Sequence, residues 1–242
     1  MKKATGSAGS TVTLGIMQPY FLPYIGYWQL LAAVDRFVVY DNIQYTKKGW
    51  INRNRFLRGG AAAPFTLPLK KGSNCLDVRD RWLADDFTPA TLLNPFREAY
   101  RKAPQFDSVF PLIETIVITA PRNLFDYLLH SLRVTATYLE ITTPIVVSST
   151  VPIDHSLKSG EKVLAMCEAL GADRYVNTSG GRALYSPEPF ASAGVELKFI
   201  HTRPVTYPQF GQPFVPGLSI VDVMMFNPRD AVRRMLDEYD LA

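Results

Sequence analysis

The densest run of residues fit for chemistry is Gln18-Pro19-Tyr20-Phe21-Leu22-Pro23-Tyr24-Ile25-Gly26-Tyr27. Pro19 and Pro23 hold it extended, because proline fixes φ and disfavours the helical region for its predecessor. An apolar strand pattern precedes it and a helical pattern follows it. Such a strand-to-helix loop lies at the carboxyl end of a strand, where open parallel sheets bind ligands. The free N–H groups of the following helix start attract phosphate or carboxylate. Gln18 offers a polar side chain, Gly26 permits close backbone approach, and Tyr24 and Tyr27 carry hydroxyls. The plainer reading is that the tyrosines pack the helix onto the sheet.

A second group spans Tyr40 to Arg55. Asp41, Asn42, Gln44 and Asn52 stand among the cations Lys47, Lys48, Arg53 and Arg55, with Tyr45 and Trp50 interleaved. This composition suits a polar anionic ligand, since arginine forks onto phosphate and aromatic rings stack on a base or sugar. A solvated surface loop is the alternative. Asn177-Thr178-Ser179-Gly180-Gly181 reads either as a glycine-rich anion nest or as an ordinary turn. Asp222 stands among apolar residues, as decoration of a helix start or as a desolvated acid. Of the three histidines, His155, in a loop after Asp154, is the one placed to act as acid or base, and His130 reads as helix surface. No HExxH, Walker, GxSxG or GxGxxG pattern occurs, so no metal ligands are assigned.

The elements that must position these residues follow from hydrophobic period. Strands are expected at 11–17, 36–40, 55–57, 65–69, 145–148, 174–176 and 196–200, the third and fourth flanking a Gly-Gly turn. Helices are expected at 24–33, 91–101, 123–139 and 160–170, the last closed by Gly171. A final helix over 229–239 takes Asn227 as N-cap and Pro228 as its first residue. Strand, loop, helix and strand within the first 40 residues open a parallel βαβ unit. The simplest organisation is a tail at 1–10, expected to be disordered, and one α/β domain over 11–242 with a helical insertion in the middle.

Composition agrees with that outline. The chain has 242 residues, 47% hydrophobic and 20% charged, with a net charge of +4 that weakly favours anionic partners. Two distant cysteines give no disulfide framework; Cys167 reads as a small buried hydrophobe and Cys75 as a loop residue. No secretory signal or membrane-length apolar run is read, so a soluble, cytoplasmic protein is expected.

Met17–Leu30, Phe37–Phe56, Phe65–Lys71, Tyr175–Tyr185 and Leu218–Asn227 resemble, in order, the signature blocks of WbqC-like proteins. The resemblance implies a bacterial role in O-antigen and related lipopolysaccharide assembly, by glycyl or aminoacyl transfer onto the amine of a nucleotide-linked amino sugar. Tyr24-Ile25-Gly26-Tyr27 also occupies the place of the HIGH motif of the nucleotidyltransferase and class I synthetase superfamily, and the preceding Gln-Pro is similar to pantothenate synthetase. That likeness implies a Rossmann-like parallel sheet and ATP as the cofactor. Both histidines of the motif are tyrosine here, which donates a hydrogen bond to phosphate but is no cation near neutral pH.

In the transfer reading Tyr24, Gly26 and Tyr27 cradle phosphate while Lys47, Lys48, Arg53 and Arg55 neutralise charge. Asp41 or Asp222 takes the proton of the attacking ammonium, and Gln18, Asn42 and Asn52 orient substrate. The rivals are a non-catalytic nucleotide-sugar-binding protein and a transferase drawing on charged tRNA. The basic residues are spread rather than gathered on one face, which disfavours the last.

Overall fold

The computed structural model describes residues 11–73, 75–211 and 213–242; the expected tail at 1–10 lies outside them. The chain begins with β1 (Thr13–Met17), α1 (Ile25–Ala32) and β2 (Arg36–Val39), then a hairpin of β3 (Arg53–Arg58) and β4 (Ala61–Thr66). Three helices follow, α2 (Ala90–Tyr100), α3 (Phe106–Thr119) and α4 (Leu124–Tyr138). The second half runs β5 (Ile145–Val147), α5 (Ser159–Ala169), β6 (Arg174–Thr178), α6 (Pro187–Ser192) and β7 (Glu196–Thr202). It closes with α7 (Ile220–Phe226), α8 (Arg229–Met235) and β8 (Tyr239–Leu241).

The main sheet has the order β5-β2-β1-β6-β7-β8, parallel throughout except for β8 against β7. Its five parallel strands therefore follow the Rossmann order, and the order reverses between β1 and β6. Leu14 pairs with both Arg36 and Tyr175, which fixes the register across that reversal. The hairpin and α2–α4 are the helical insertion between β2 and β5.

Strand alternation divides the core. Phe37 and Val39 face a large cluster with α1, the hairpin and α2–α4. Leu14, Ile16 and Val38 face a smaller cluster with Val163, Met166 and Cys167 of α5 and Phe190 of α6. Helices thus cover both faces, as a parallel sheet requires. Cys167 is buried, and burial pushes its thiol up to about 12. Ile25–Leu31 of α1 is buried throughout, so this helix has no polar face. Its one buried amide, Gln29, donates to the carbonyls of Met235 (2.8 Å) and Glu238 (3.0 Å) and so caps the end of α8. No helix among the described residues is long and apolar enough to cross a membrane.

Several elements depart from the sequence expectation. The expected elements do not include α3, α6, α7 or β8. α3 does carry Val109, Phe110, Ile113, Ile116 and Val117 at helical spacing, and it runs unbroken through Pro111, the residue that argues against a helix in the sequence. Asn227 does not cap α8: its side chain donates to Val223 O (2.8 Å) at the end of α7, and Pro228 takes the N-cap with an extended ψ of 153°. α8 stops at Met235 because the chain end satisfies the edge of β7, where Phe199 and Ala242 exchange backbone hydrogen bonds. β4 begins at Ala61 rather than Phe65, since the turn at Gly59 and Gly60 (φ 59° and 79°) brings the alanines directly into register.

Gly26 is fixed by its neighbours. A Cβ there would stand 2.4 Å from the Tyr24 hydroxyl and 2.6 Å from Thr202 Oγ1, and Tyr24 and Thr202 are themselves hydrogen-bonded. Gly26→Ala should therefore displace the end of the partly exposed Tyr24 side chain. The overpacking cost of about 1–3 kcal/mol, less the roughly 1 kcal/mol that alanine gains over glycine in a helix, leaves a net loss of about 0–2 kcal/mol. Urea denaturation measures it, and a gain in stability would refute the packing described.

Candidate functional site

At the carboxyl ends of β2 and β5 a polar chain is built from four side chains. Asp41, 4% exposed, accepts from Ser148 Oγ (2.7 Å) and from the Ser149 N–H (2.9 Å). Its own N–H donates to Ser148 Oγ at 3.2 Å. Ser148 Oγ lies 2.6 Å from Asn42 Oδ1, and Asn42 Nδ2 lies 3.0 Å from His155 Nδ1. Burial alone would raise the Asp41 carboxyl, but the hydrogen bonds from Ser149 and Ser148 outweigh it and hold the group below its ordinary value.

Asn42 and His155 open onto a cavity of 810 Å³ that Tyr40, Lys158, Lys162 and Tyr185 also line. It sits over the carboxyl edge beside the start of α5. Lys162 is 9% exposed, with Nζ 5.7 Å from the Tyr40 ring centre and 3.4 Å from the His155 carbonyl. The nearby carboxylates Asp41 and Asp77 are instead held by Arg79, at 3.7 and 3.9 Å. Burial lowers the Lys162 ammonium, and Asp77 and Asp41 only partly oppose this.

A second, smaller cavity of 240 Å³ lies by the β1–α1 loop, lined by Tyr20, Tyr24, Trp50, Asn54, Arg55 and Gly217. The two sequence clusters do meet here. The Phe21 N–H donates to Ile51 O (3.0 Å), and Asn54 Nδ2 donates to Leu22 O (2.9 Å). Arg55 lies 5.3 Å from the Trp50 ring centre and bonds Gly217 O at 3.2 Å.

The predicted residues therefore separate. Asn42 and His155 line the large cavity, with Asp41 behind them, and Tyr24 and Arg55 line the small one. Arg53 is turned to the Gly49 carbonyl (2.9 Å) and to that of Lys48, clamping the loop on which Lys47 and Lys48 are exposed. Asn52 is buried between Tyr45 Oη (2.8 Å) and Leu67 O (2.8 Å), where it holds the loop together. Tyr27 is fully buried with its hydroxyl on Gln18 O at 3.1 Å, and Gln18 Oε1 lies 3.5 Å from Tyr20 Oη. The first turn of α1 is thus closed by the Tyr24 ring and by buried Ile25 and Tyr27; these residues do not fit the phosphates of ATP.

Asn177 bonds Tyr175 Oη (3.0 Å) and the Thr178 N–H (2.7 Å), and a Cβ on Gly181 would meet it at 2.6 Å. Gly180 and Gly181 belong to a 3-10 turn that carries Tyr185 to the large cavity. Asp222 lies fully buried beneath Tyr100 Oη (2.8 Å), Tyr207 Oη (2.7 Å) and Gln209 Nε2 (2.7 Å). Burial raises its carboxyl against those three donors. Sequence reasoning misses Ser148, Lys158, Lys162 and Tyr185; Ser148 at a strand end is the most visible of them.

A Rossmann-like sheet with a polar cavity over its carboxyl edge defines the class. The chain belongs to the WbqC-like protein family, whose sequence pattern matches residues 18–234. It is 26% identical over 219 residues to the uncharacterized protein Rv1507c of Mycobacterium tuberculosis, covering 88% of this chain and 93% of that one. No solved structure matches it.

Asp41→Asn should destabilise the fold by about 1–3 kcal/mol at neutral pH, the range for hydrogen bonds to a buried charged group. Because the folded carboxyl is held low, its contribution is present above the unfolded value of about 3.9 and fades as pH falls through the folded value. The stability gap between wild type and variant should therefore close below about pH 4. A gap independent of pH would contradict the ionised assignment.

Proposed function

We propose that the large cavity is the active site of an aminoacyl transferase, which forms an amide on the amine of a nucleotide-linked amino sugar in surface-polysaccharide biosynthesis. WbqC-like membership suggests the polysaccharide setting. The observation that carries the chemistry is the Asp41–Ser148–Asn42–His155 chain ending at the cavity.

Proton counting gives the chain a direction. Ser148 has one hydroxyl proton and two oxygens within reach, at 2.7 Å on Asp41 and 2.6 Å on Asn42. The proton belongs with the carboxylate, the stronger acceptor. Asn42 is then satisfied by a half-turn of its amide, which interchanges nearly indistinguishable O and N atoms. Its NH₂ donates to Ser148 Oγ, and its oxygen accepts Nδ1–H from His155. That tautomer leaves His155 Nε2 as a free base.

In this reaction Nε2 takes a proton from the substrate ammonium. The freed lone pair forms the N–C bond as the bond from the acyl carbon to its activating group breaks. The departing group leaves with the electron pair and the second amine proton. Asp41 acts through Ser148 and Asn42 as a positioning residue. Asp222, under its three donors and outside the lining of this cavity, has no part in the step.

The test is mass-spectrometric detection of amide product from UDP-linked amino sugars and activated amino acids. His155→Ala should lower kcat by about 10²–10⁴, the usual worth of a general base, with little change in sugar-nucleotide affinity. Asn42→Ala should lower it less, with a shifted pH profile, because it only orients the ring. Full turnover by His155→Ala would refute the assignment.

A further inference from the structure

We infer that Lys162 is the anchor for a phosphate of the ligand that enters the large cavity. This rests on that cavity being the substrate site, but not on aminoacyl transfer being its reaction.

A buried ammonium is costly unless an opposite charge compensates it. Lys162 is nine-tenths buried at 9% exposure, yet among the described residues no ion pair joins it to a carboxylate. The two acids whose fields reach it, Asp77 and Asp41, share the single charge of Arg79, and neither stands within ion-pair distance of the Lys162 ammonium. Its contacts with the Tyr40 ring and with a carbonyl at 3.4 Å solvate the ammonium without neutralising it. The fold keeps a desolvated cation at the wall of an open 810 Å³ cavity. An anionic ligand would supply the direct contact that neither acid makes.

The surroundings favour phosphate. Lys162 lies in the first turn of α5, an 11-residue helix whose opening N–H groups have no intrahelical partners. A Cβ on Gly160 would meet only the Tyr185 ring, at 3.9 Å, so the approach to that turn is open. Lys158 joins Lys162 in the lining against one acid, Asp77, an excess of one positive charge among the lysines and acids of the wall. A phosphate presents oxygens in several directions, which suits a cavity bordered by both an ammonium and a helix N-terminus. Tyr40, Tyr185 and Leu184 line the same space and offer apolar surface to the organic part of a nucleotide.

Calorimetry with UDP, inorganic pyrophosphate, uridine and glycine, on wild type, Lys162→Met and Lys162→Arg, decides this. UDP and pyrophosphate should each bind wild type at least tenfold more tightly than Lys162→Met, Lys162→Arg should keep most of the affinity, and uridine should not distinguish the three. The ligand-free Lys162→Met protein should melt no lower than wild type, because it loses a buried charge that has no acid partner. UDP affinity unchanged in Lys162→Met overturns the inference, as does Lys162-dependent binding of glycine but not of UDP. If UDP binding depends on Lys162 but no amide is ever formed, the transferase reading fails and this one stands. Amide formation untouched by Lys162→Met overturns the phosphate anchor and leaves the transferase reading standing.

Discussion

A carboxylate buried at the end of a parallel strand must be given donors, and that requirement organises the working edge of this sheet. Asp41 closes β2, and its donors come from Ser148 and Ser149 at the end of β5, the neighbouring strand. More than a hundred residues of chain lie between them, including the hairpin and the helices α2–α4. The bond therefore fixes where the insertion must deliver the chain back to the sheet. It also sets the height of the loop that carries His155 and of the helix start that follows. Without it, Asn42 would lose the hydroxyl that lies 2.6 Å from its amide, and with it the link that runs on to His155 at 3.0 Å.

The other end of the edge is governed by steric fit rather than charge. Tyr24 folds back over the first turn of α1, where only glycine at 26 leaves room, and reaches Thr202 at the end of β7. The space that a phosphate would need at the first helix is taken by an aromatic ring. A Rossmann-like sheet offers ligand space along its whole carboxyl edge. With the first turn of α1 covered, the large polar cavity on the β2 and β5 side is the roomier of the two cavities, and the polar chain already points there.

Much of the scaffold is legible in the sequence because its signals are local. Proline spacing sets the β1–α1 loop, apolar runs mark the parallel strands, and Gly171, at φ 62°, closes α5 as expected. The elements that escape are those defined by distant partners. β8 exists because β7 presents an unpaired edge to the chain end. α7 is short, and its first turn carries the buried Asp222, whose donors come from α2 and from the loop before it. The site is legible in part for the same reason: Asp41, Asn42 and His155 stand out as polar groups on loops, but Ser148, which joins them, looks like the end of any strand.

The cations show why composition alone misplaces a charge. Lys47, Lys48, Arg53 and Arg55 draw attention by density, yet the fold uses Arg53 and Arg55 to clamp carbonyls and to stack on Trp50. Asn52 and Asn54, equally conspicuous, are consumed in holding the same loop to its neighbours. Lys162 draws none, since a lysine in the first turn of an amphipathic helix normally lies in water. Spacing reports which element a residue belongs to, but whether its charge is already satisfied depends on partners that are remote in sequence. The charge available to a ligand is the one the fold has desolvated without pairing, and here that distinction separates one helix lysine from the crowded basic loop.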